Sequence, residues 1–310
     1  VKNKSTIFSL FSYFCIIFAN NMKSMNISLW ILSAVMALTG CKLSSGHRQL
    51  MGGFAERQVT TSDEGSSKNE SASGKTLDAE KVGADGIEIP AKLTGKAEQI
   101  LQREGYTASY NKDLKIPNWV AWHLTANHTT GSYKRAGIKF HEDEEVPEPR
   151  AVDWDYARSG YDRGHMCPSG DNKWSELAQE QSFLFTNMCP QDHGLNIGDW
   201  NEMENQCRRW AKDYGDIYIV CGPILYKGKH KTIGSDKVVV PEAFFKVVLC
   251  MNGTPKAIGF IYKNIDGNRP KGDYVNTVDQ VERITGIDFF PSLPDNIEKK
   301  VEAESNLNDW

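Results

Sequence analysis

The chain has 310 residues, 40% of them hydrophobic and 10% aromatic, with a formal net charge of −4. That is enough apolar material for one large folded domain, and it excludes a wholly disordered chain. The acidic balance argues against a protein that grips a polyanion over a broad basic surface, but it allows a small cleft holding a few arginines and lysines.

Behind Lys23, residues 26–37 form a short apolar run that ends in Leu38-Thr39-Gly40-Cys41. The run is too short to cross a bilayer comfortably and has the length of an export signal's apolar core. Its end resembles a bacterial lipobox, in which cleavage exposes the cysteine for lipid attachment. Residues 1–41 are therefore expected to be an export signal, and the mature chain a membrane-anchored lipoprotein with its lipid on Cys41, on the periplasmic or cell-surface side. A plain signal peptide and a buried helix are the competing readings. A second apolar stretch, Ile7 to Ala19, lies upstream. Either residues 1–21 precede a true start at Met22 or Met25, or the chain carries two membrane-associated segments.

Residues 42–90 read as a flexible polar linker. The stretch from Thr60 to Gly74 is small and polar, without hydrophobic period, so it cannot bury enough apolar surface to offset its chain entropy. The folded domain is expected over 91–298, followed by a tail at 299–310. Within the domain, Trp119–Thr125 reads as a strand. Asp216–Cys221 reads as a buried strand stopped by Gly222-Pro223. Ala243–Cys250 and Lys256–Tyr262 flank an Asn252-Gly253 turn and read as a hairpin. Helices are expected at 173–182 and 197–213; on the second, Trp200, Met203, Cys207, Trp210 and Tyr214 recur at helical spacing and should face the core. Strands and helices are mixed without strict alternation, so the expected class is α+β, with a mixed, mainly antiparallel sheet and flanking helices. Cys167, Cys189, Cys207, Cys221 and Cys250 show no zinc-site spacing, and spacing alone assigns no disulfide.

The segment Ser159-Gly-Tyr-Asp-Arg-Gly-His-Met-Cys-Pro168 carries the densest chemical signal. Gly160 and Gly164 allow unusual backbone angles and Pro168 stops regular structure, so Asp162, Arg163 and His165 are fixed closely together. A histidine held this way can serve as a general base near neutral pH. Downstream, Phe185-Thr-Asn-Met-Cys-Pro-Gln191 leads to Asn196, Glu204 and Arg208. Amide and carboxylate oxygens suit hard Mg²⁺, which keeps several waters. On one continuous helix Asn196 and Glu204 would lie about 12 Å apart, so Asn196 is the direct ligand and Glu204 acts through a coordinated water. Arg208, one turn after Glu204, would meet that carboxylate or a phosphate; an ordinary surface pair is the alternative.

Asp162-Arg163-Gly164-His165, then Asn187-Met-Cys-Pro-Gln191, then Asn196 with Glu204 and Arg208, resembles the endonuclease G-like DNA/RNA non-specific endonuclease family. The resemblance covers roughly Asn118 to Asp295 and implies the ββα-metal (His-Me finger) fold. It implies His165 as general base, Asn196 as the direct Mg²⁺ ligand and Glu204 as orienter of metal-bound water. Arg163 and Arg208 would lie near phosphate or the ion's water shell. The family's upstream arginine matches Arg135 best, with Lys134 as competitor. The implied reaction is Mg²⁺-dependent hydrolysis of DNA and RNA to 5′-phosphate products, with Mn²⁺ as substitute ion and no obligate protein partner. Backbone-directed contacts imply low sequence preference. Two rivals remain: a nucleic-acid-binding surface lipoprotein with a decayed site, and a zinc enzyme using His165 and nearby cysteine.

The surrounding residues have plainer expectations. Lys227, Lys229, His230 and Lys231 form a basic cluster that guides a polyanion or simply caps a solvated turn. Asn187 should organise its loop, His193 should form a loop hydrogen bond or support Asn196 from behind, and Asp192 and Asp199 should cap helices or face solvent. Cys167 should be a small buried residue rather than a redox switch.

Overall fold

The computed structural model describes residues 86–310; the expected export signal, Cys41 and nearly all of the expected linker lie outside the described residues. The strands are β1 (Gln99–Gln102), β2 (Thr107–Asn111), β3 (Ile116–Thr125), β4 (Asp162–His165), β5 (Met188–Gln191) and β6 (Asp216–Ile224). They continue with β7 (Thr232–Ile233), β8 (Val238–Val239), β9 (Ala243–Cys250), β10 (Lys256–Lys263) and β11 (Val275–Asn276). Seven of them form one sheet in the order β1-β2-β3-β6-β9-β10-β11, with every neighbouring pair antiparallel. The central strands are buried on both faces, which is why β9 reads as a nearly unbroken apolar run rather than an alternating one.

The helices are α1 (Asp153–Tyr156), α2 (Glu176–Gln181), α3 (His193–Ile197), α4 (Asp199–Tyr214), α5 (Val278–Thr285) and α6 (Asp295–Ala303). One core contains Trp122, Trp200, Met203, Cys207 and Trp210 from one side of the sheet, with Tyr214 partly buried against it. The second core gathers Trp119, Phe245, Val278, Val281 and Val301, so α5 and α6 cover the opposite side. The arrangement is the expected α+β class with a mainly antiparallel sheet and flanking helices.

Several boundaries differ from the sequence reading. Ile87 is buried in the second core, so the fold begins before residue 91. Helix α6 runs through residue 298, and Trp310 packs on Trp210 with ring centroids 4.6 Å apart, so the segment expected to be a tail belongs to the fold. Strand β6 passes through Gly222-Pro223 instead of stopping there. Its pairing with β3 ends at Cys221 while its pairing with β9 continues to Ile224, so Pro223 sits where one side of the strand needs no donor.

The helix expected over 197–213 is interrupted at its start. Gly198 separates α3 from α4 with φ −96° and ψ −114°, and a Cβ there would lie 2.6 Å from the Gly194 carbonyl oxygen. Among the described residues the cysteines at 167, 189, 207, 221 and 250 are all free and buried. Among the same residues no helix is long and apolar enough to cross a membrane.

Candidate active site

Strands β4 and β5 pair antiparallel, with Asp162 opposite Gln191 and His165 opposite Met188, and the chain then turns into α3. This is a strand-strand-helix unit. Asn187, fully buried, accepts from the Cys167 amide at 2.9 Å and donates to the carbonyls of Cys167 at 2.8 Å and Ser182 at 2.9 Å. It therefore organises the loop, as its position suggested. Gly160 has the expected left-handed backbone, φ +81°. Gly164 serves differently: a Cβ there would collide with the Gln191 side chain across the ladder. Asp192 caps α3, accepting from the amides of Gly194 and Leu195 at 2.9 and 3.3 Å.

The unit opens into a cavity of about 580 Å³. Arg135, Arg163, His165, Asn196, Glu204 and Arg208 all line it, so residues spread over more than seventy positions meet in one place. Lys134, the competing choice for the upstream cation, does not line it.

His165 is held from behind. Its backbone carbonyl accepts from Trp200 Nε1 at 3.1 Å, and its ring sits edge-on to Phe183 with centroids 5.1 Å apart. Nε2 is shielded and makes no hydrogen bond, leaving Nδ1 as the nitrogen open to the cavity. Burial, reinforced by the Arg135 charge, pulls the imidazole down to about 3, so the ring is a neutral acceptor at physiological pH.

Asn196 Nδ2 donates to Asp162 Oδ2 at 2.9 Å, and His193 Nδ1 shares that oxygen at 2.8 Å. His193 thus bonds across to β4 on the same carboxylate as Asn196, the supporting position rather than the loop bond of the two expected for it. Committing the amide nitrogen to Asp162 leaves Asn196 Oδ1 available to a cation. Burial pushes the Glu204 carboxyl up to about 7, while Lys246 and Arg208 pull the other way. Because Gly198 breaks the helix, the straight-helix separation of Asn196 and Glu204 does not apply, and both face the same cavity. An amide oxygen and a carboxylate in a polar pocket form a donor set that fits a hard, partly hydrated divalent cation.

Arg208 does not pair with Glu204. Its Nη1 donates to Asp171 Oδ1 at 2.7 Å and its Nη2 to Asn205 Oδ1 at 2.9 Å. The other Asp171 oxygen accepts from Trp122 Nε1 at 3.1 Å. The shape fit is close, since a Cβ on Gly170 would lie 2.6 Å from Arg208 Nη1. Arg163 Nε donates to Asp153 Oδ1 at 2.8 Å, and its guanidinium lies 5.6 Å from the ring centroids of both Phe140 and Tyr156. Arg135 lies over Phe183 at 5.4 Å. Each cation is braced against an aromatic ring, a carboxylate or both before any substrate arrives, which is preorganisation of positive charge.

Sequence reasoning missed three members of this neighbourhood. Asp162 was read only as a fixed neighbour of His165, yet it anchors Asn196. Asp171 was not singled out, although it follows the histidine by six positions. Lys246 is a lone charge in the apolar run Ala243–Cys250, and that anomaly was the available signal. Asp199 differs from its expectation: it neither faces solvent nor caps by its side chain, but is buried and accepts from the Tyr274 hydroxyl. Cys167 is fully buried, as expected of a small core residue. The basic cluster lies outside the cavity lining, with His230 bonded to Glu242 at 3.1 Å and Lys231 over the Tyr161 ring at 4.7 Å.

Comparison with known proteins agrees with this geometry. Residues 84–296 match the family model for DNA/RNA non-specific endonuclease, and the chain belongs to that family. It is similar to mitochondrial nuclease EXOG of Xenopus laevis, 35% identical over 218 residues that cover 65% of this chain and 60% of the relative. Nuclease C1 of Cunninghamella echinulata var. echinulata is 36% identical over 219 residues, covering 64% of this chain and 85% of that protein. Among solved structures, EndoG in complex with EndoGI superposes with a TM-score of 0.61 at 29% identity, covering 64% of this chain and 87% of that one. The matched region spans 60% of the length of the Xenopus laevis and Danio rerio EXOG nucleases.

Proposed function

We propose that this protein is a metal-dependent endonuclease that hydrolyses phosphodiester bonds of DNA and RNA with little sequence preference, using Mg²⁺ and accepting Mn²⁺. The observation that carries the reading is the convergence of His165, Asn196 and Glu204 on one cavity walled by three arginines. His165 Nδ1, neutral and open to the cavity, accepts the proton of the attacking water. Arg135, Arg163 and Arg208 present positive charge where the phosphate gathers negative charge in the transition state. Asn196 Oδ1 would hold the cation directly and Glu204 would orient its water. When bound, Mg²⁺ would supply charge compensation to the phosphodiester as its 3′-oxygen leaves. Hydrolysis in this sense leaves a 5′-phosphate. Contacts confined to the phosphodiester backbone carry no base information, hence the low sequence preference.

Purified protein is incubated with supercoiled plasmid and with RNA in Mg²⁺, Mn²⁺, Zn²⁺ or EDTA. Cleavage of both polymers in Mg²⁺, abolished by EDTA and lowered by about 10²- to 10⁴-fold in His165→Ala, is expected. A protein that retards DNA without nicking it is the decayed binder instead, and Zn²⁺-only activity indicates the zinc enzyme. Export and lipid attachment at Cys41 belong to the same proposal, resting on the apolar run and the Leu-Thr-Gly-Cys sequence. Fatty-acid labelling of the wild type that is lost in Cys41→Ala tests them.

A further inference from the structure

Lys246 stands in the middle of β9, opposite Cys221 on one neighbouring strand and Phe260 on the other, and is fully buried. Its ammonium makes no hydrogen bond. A lysine in such a place opposes folding unless other groups compensate its charge. The compensation comes from the site side of the sheet. Nζ lies 4.3 Å from the Trp200 ring centroid and 5.3 Å from that of Trp122. Glu204 and Asp171 supply the nearby carboxylates.

The two indoles that receive this cation are the same two that brace the site. Trp200 Nε1 donates to the His165 carbonyl at 3.1 Å. Trp122 Nε1 donates to Asp171 Oδ2 at 3.1 Å, and Asp171 holds Arg208 at 2.7 Å. One ammonium therefore attracts both ring faces from beneath while their N–H edges hold the histidine's main chain and the arginine's counter-ion. A neutral apolar side chain of similar length would fill the volume but lose that attraction.

We propose that Lys246 is a positioning residue for phosphodiester hydrolysis, acting through Trp200 on His165 and through Trp122 and Asp171 on Arg208. The inference rests on the function proposed above and extends it to a side chain that touches neither substrate nor ion. Its role is to fix the separation between the general base and a charge-stabilising arginine. Displacement of reacting groups by about 1 Å can cost on the order of a hundred-fold in rate.

The test is Lys246→Met, examined alone and combined with Trp122→Phe, which keeps a ring but removes the N–H to Asp171. Thermal melting and near-ultraviolet circular dichroism report whether each variant is folded. Steady-state cleavage of a short duplex separates kcat from KM, and calorimetric titration with Mn²⁺ reads cation binding at the site without activity. The expected result is a folded Lys246→Met protein that still binds Mn²⁺ and whose kcat falls about a hundred-fold while KM stays near wild type. The double variant should lose less than the product of the two single losses, because Lys246 and Trp122 share the branch that ends on Arg208. Should Lys246→Met not fold, Lys246→Gln is measured in its place. A folded variant with wild-type kcat overturns the proposal, as does a double variant whose losses simply multiply. An inactive wild type overturns the proposed function itself, so the two failures are distinguishable.

Discussion

Asp162 Oδ2 accepts a hydrogen bond from Asn196 Nδ2 at 2.9 Å, joining the strand that carries His165 directly to the helix that carries Asn196, the proposed amide ligand. The same oxygen meets His193 Nδ1 at 2.8 Å, so one carboxylate orients two side chains of α3. A ligand amide whose nitrogen is tied down presents its oxygen in a fixed direction, which is how outer partners tune a metal site.

Removing that anchor should weaken cation binding more than it weakens the fold. Asp162→Ala is expected to lower Mn²⁺ affinity by about ten- to hundred-fold in calorimetric titration, with a thermal midpoint near that of the wild type. An unchanged affinity would show that Asn196 is oriented by its helix alone.

Asp171→Asn addresses the arginine side. The substitution keeps the side chain's shape and an acceptor for Trp122 but removes the charge that faces Arg208 in a buried pair. Breaking such a pair leaves a poorly compensated guanidinium and should destabilise the protein by about 3 kcal/mol in denaturant unfolding. Cleavage should also slow, since Arg208 would no longer be held toward the cavity. Stability equal to the wild type would mean that the Arg208 charge is satisfied elsewhere.

Chain truncation checks where the domain ends. Trp310 packs on Trp210 at 4.6 Å and on Tyr214 at 6.1 Å, and Lys256 lies over its ring at 4.9 Å. Deleting residues 305–310 should therefore cost about 2 kcal/mol of unfolding free energy from lost aromatic burial. A truncated protein with wild-type stability would restore the reading of this segment as a tail.

A pH dependence of stability should come from Glu302, far in sequence from the site residues. Burial, with Glu282 and other carboxylates beside it, raises its carboxyl from 4.5 to about 8. The folded state thus keeps a proton that the unfolded chain releases. The contribution is full below the unfolded value and is lost as pH rises through about 8, because the unfolded state then binds fewer protons. Glu302→Gln removes the titration, so melting scans from pH 5 to 9 should show the wild type declining relative to the variant. Parallel curves across that range would exclude the assignment.

Much of the site was legible because its chemistry sits in compact, ordered motifs. Asp162-Arg-Gly-His165 forces a histidine into a tight strand, and Asn196, Glu204 and Arg208 follow at spacings that one helical region can present to one side. Less was legible where tertiary pairing overrode a local signal. Gly222-Pro223 looked like a strand end, but the proline falls beyond the last β3–β6 pair, Val120 with Cys221, while β9 still pairs with β6. Glu204 and Arg208 looked like an i,i+4 pair, but Asp171 reaches Arg208 from another segment. Lys246 drew no separate reading within its strand, because the two indoles and two carboxylates around it arrive only with the fold.

Local sequence alone determined which chemical groups this protein brings to the cavity: a histidine fixed by glycine and proline, amide and carboxylate oxygens, arginines, and an amphipathic helix to support them. Only the tertiary structure decided which partner each group has, through the sheet that brings Trp122 and Lys246 beneath the site and the break at Gly198 that turns α3 against α4. The reason is range. Backbone preference and hydrophobic period act over a few residues and are written in the chain, whereas a buried charge is compensated by whichever groups packing delivers from distant segments.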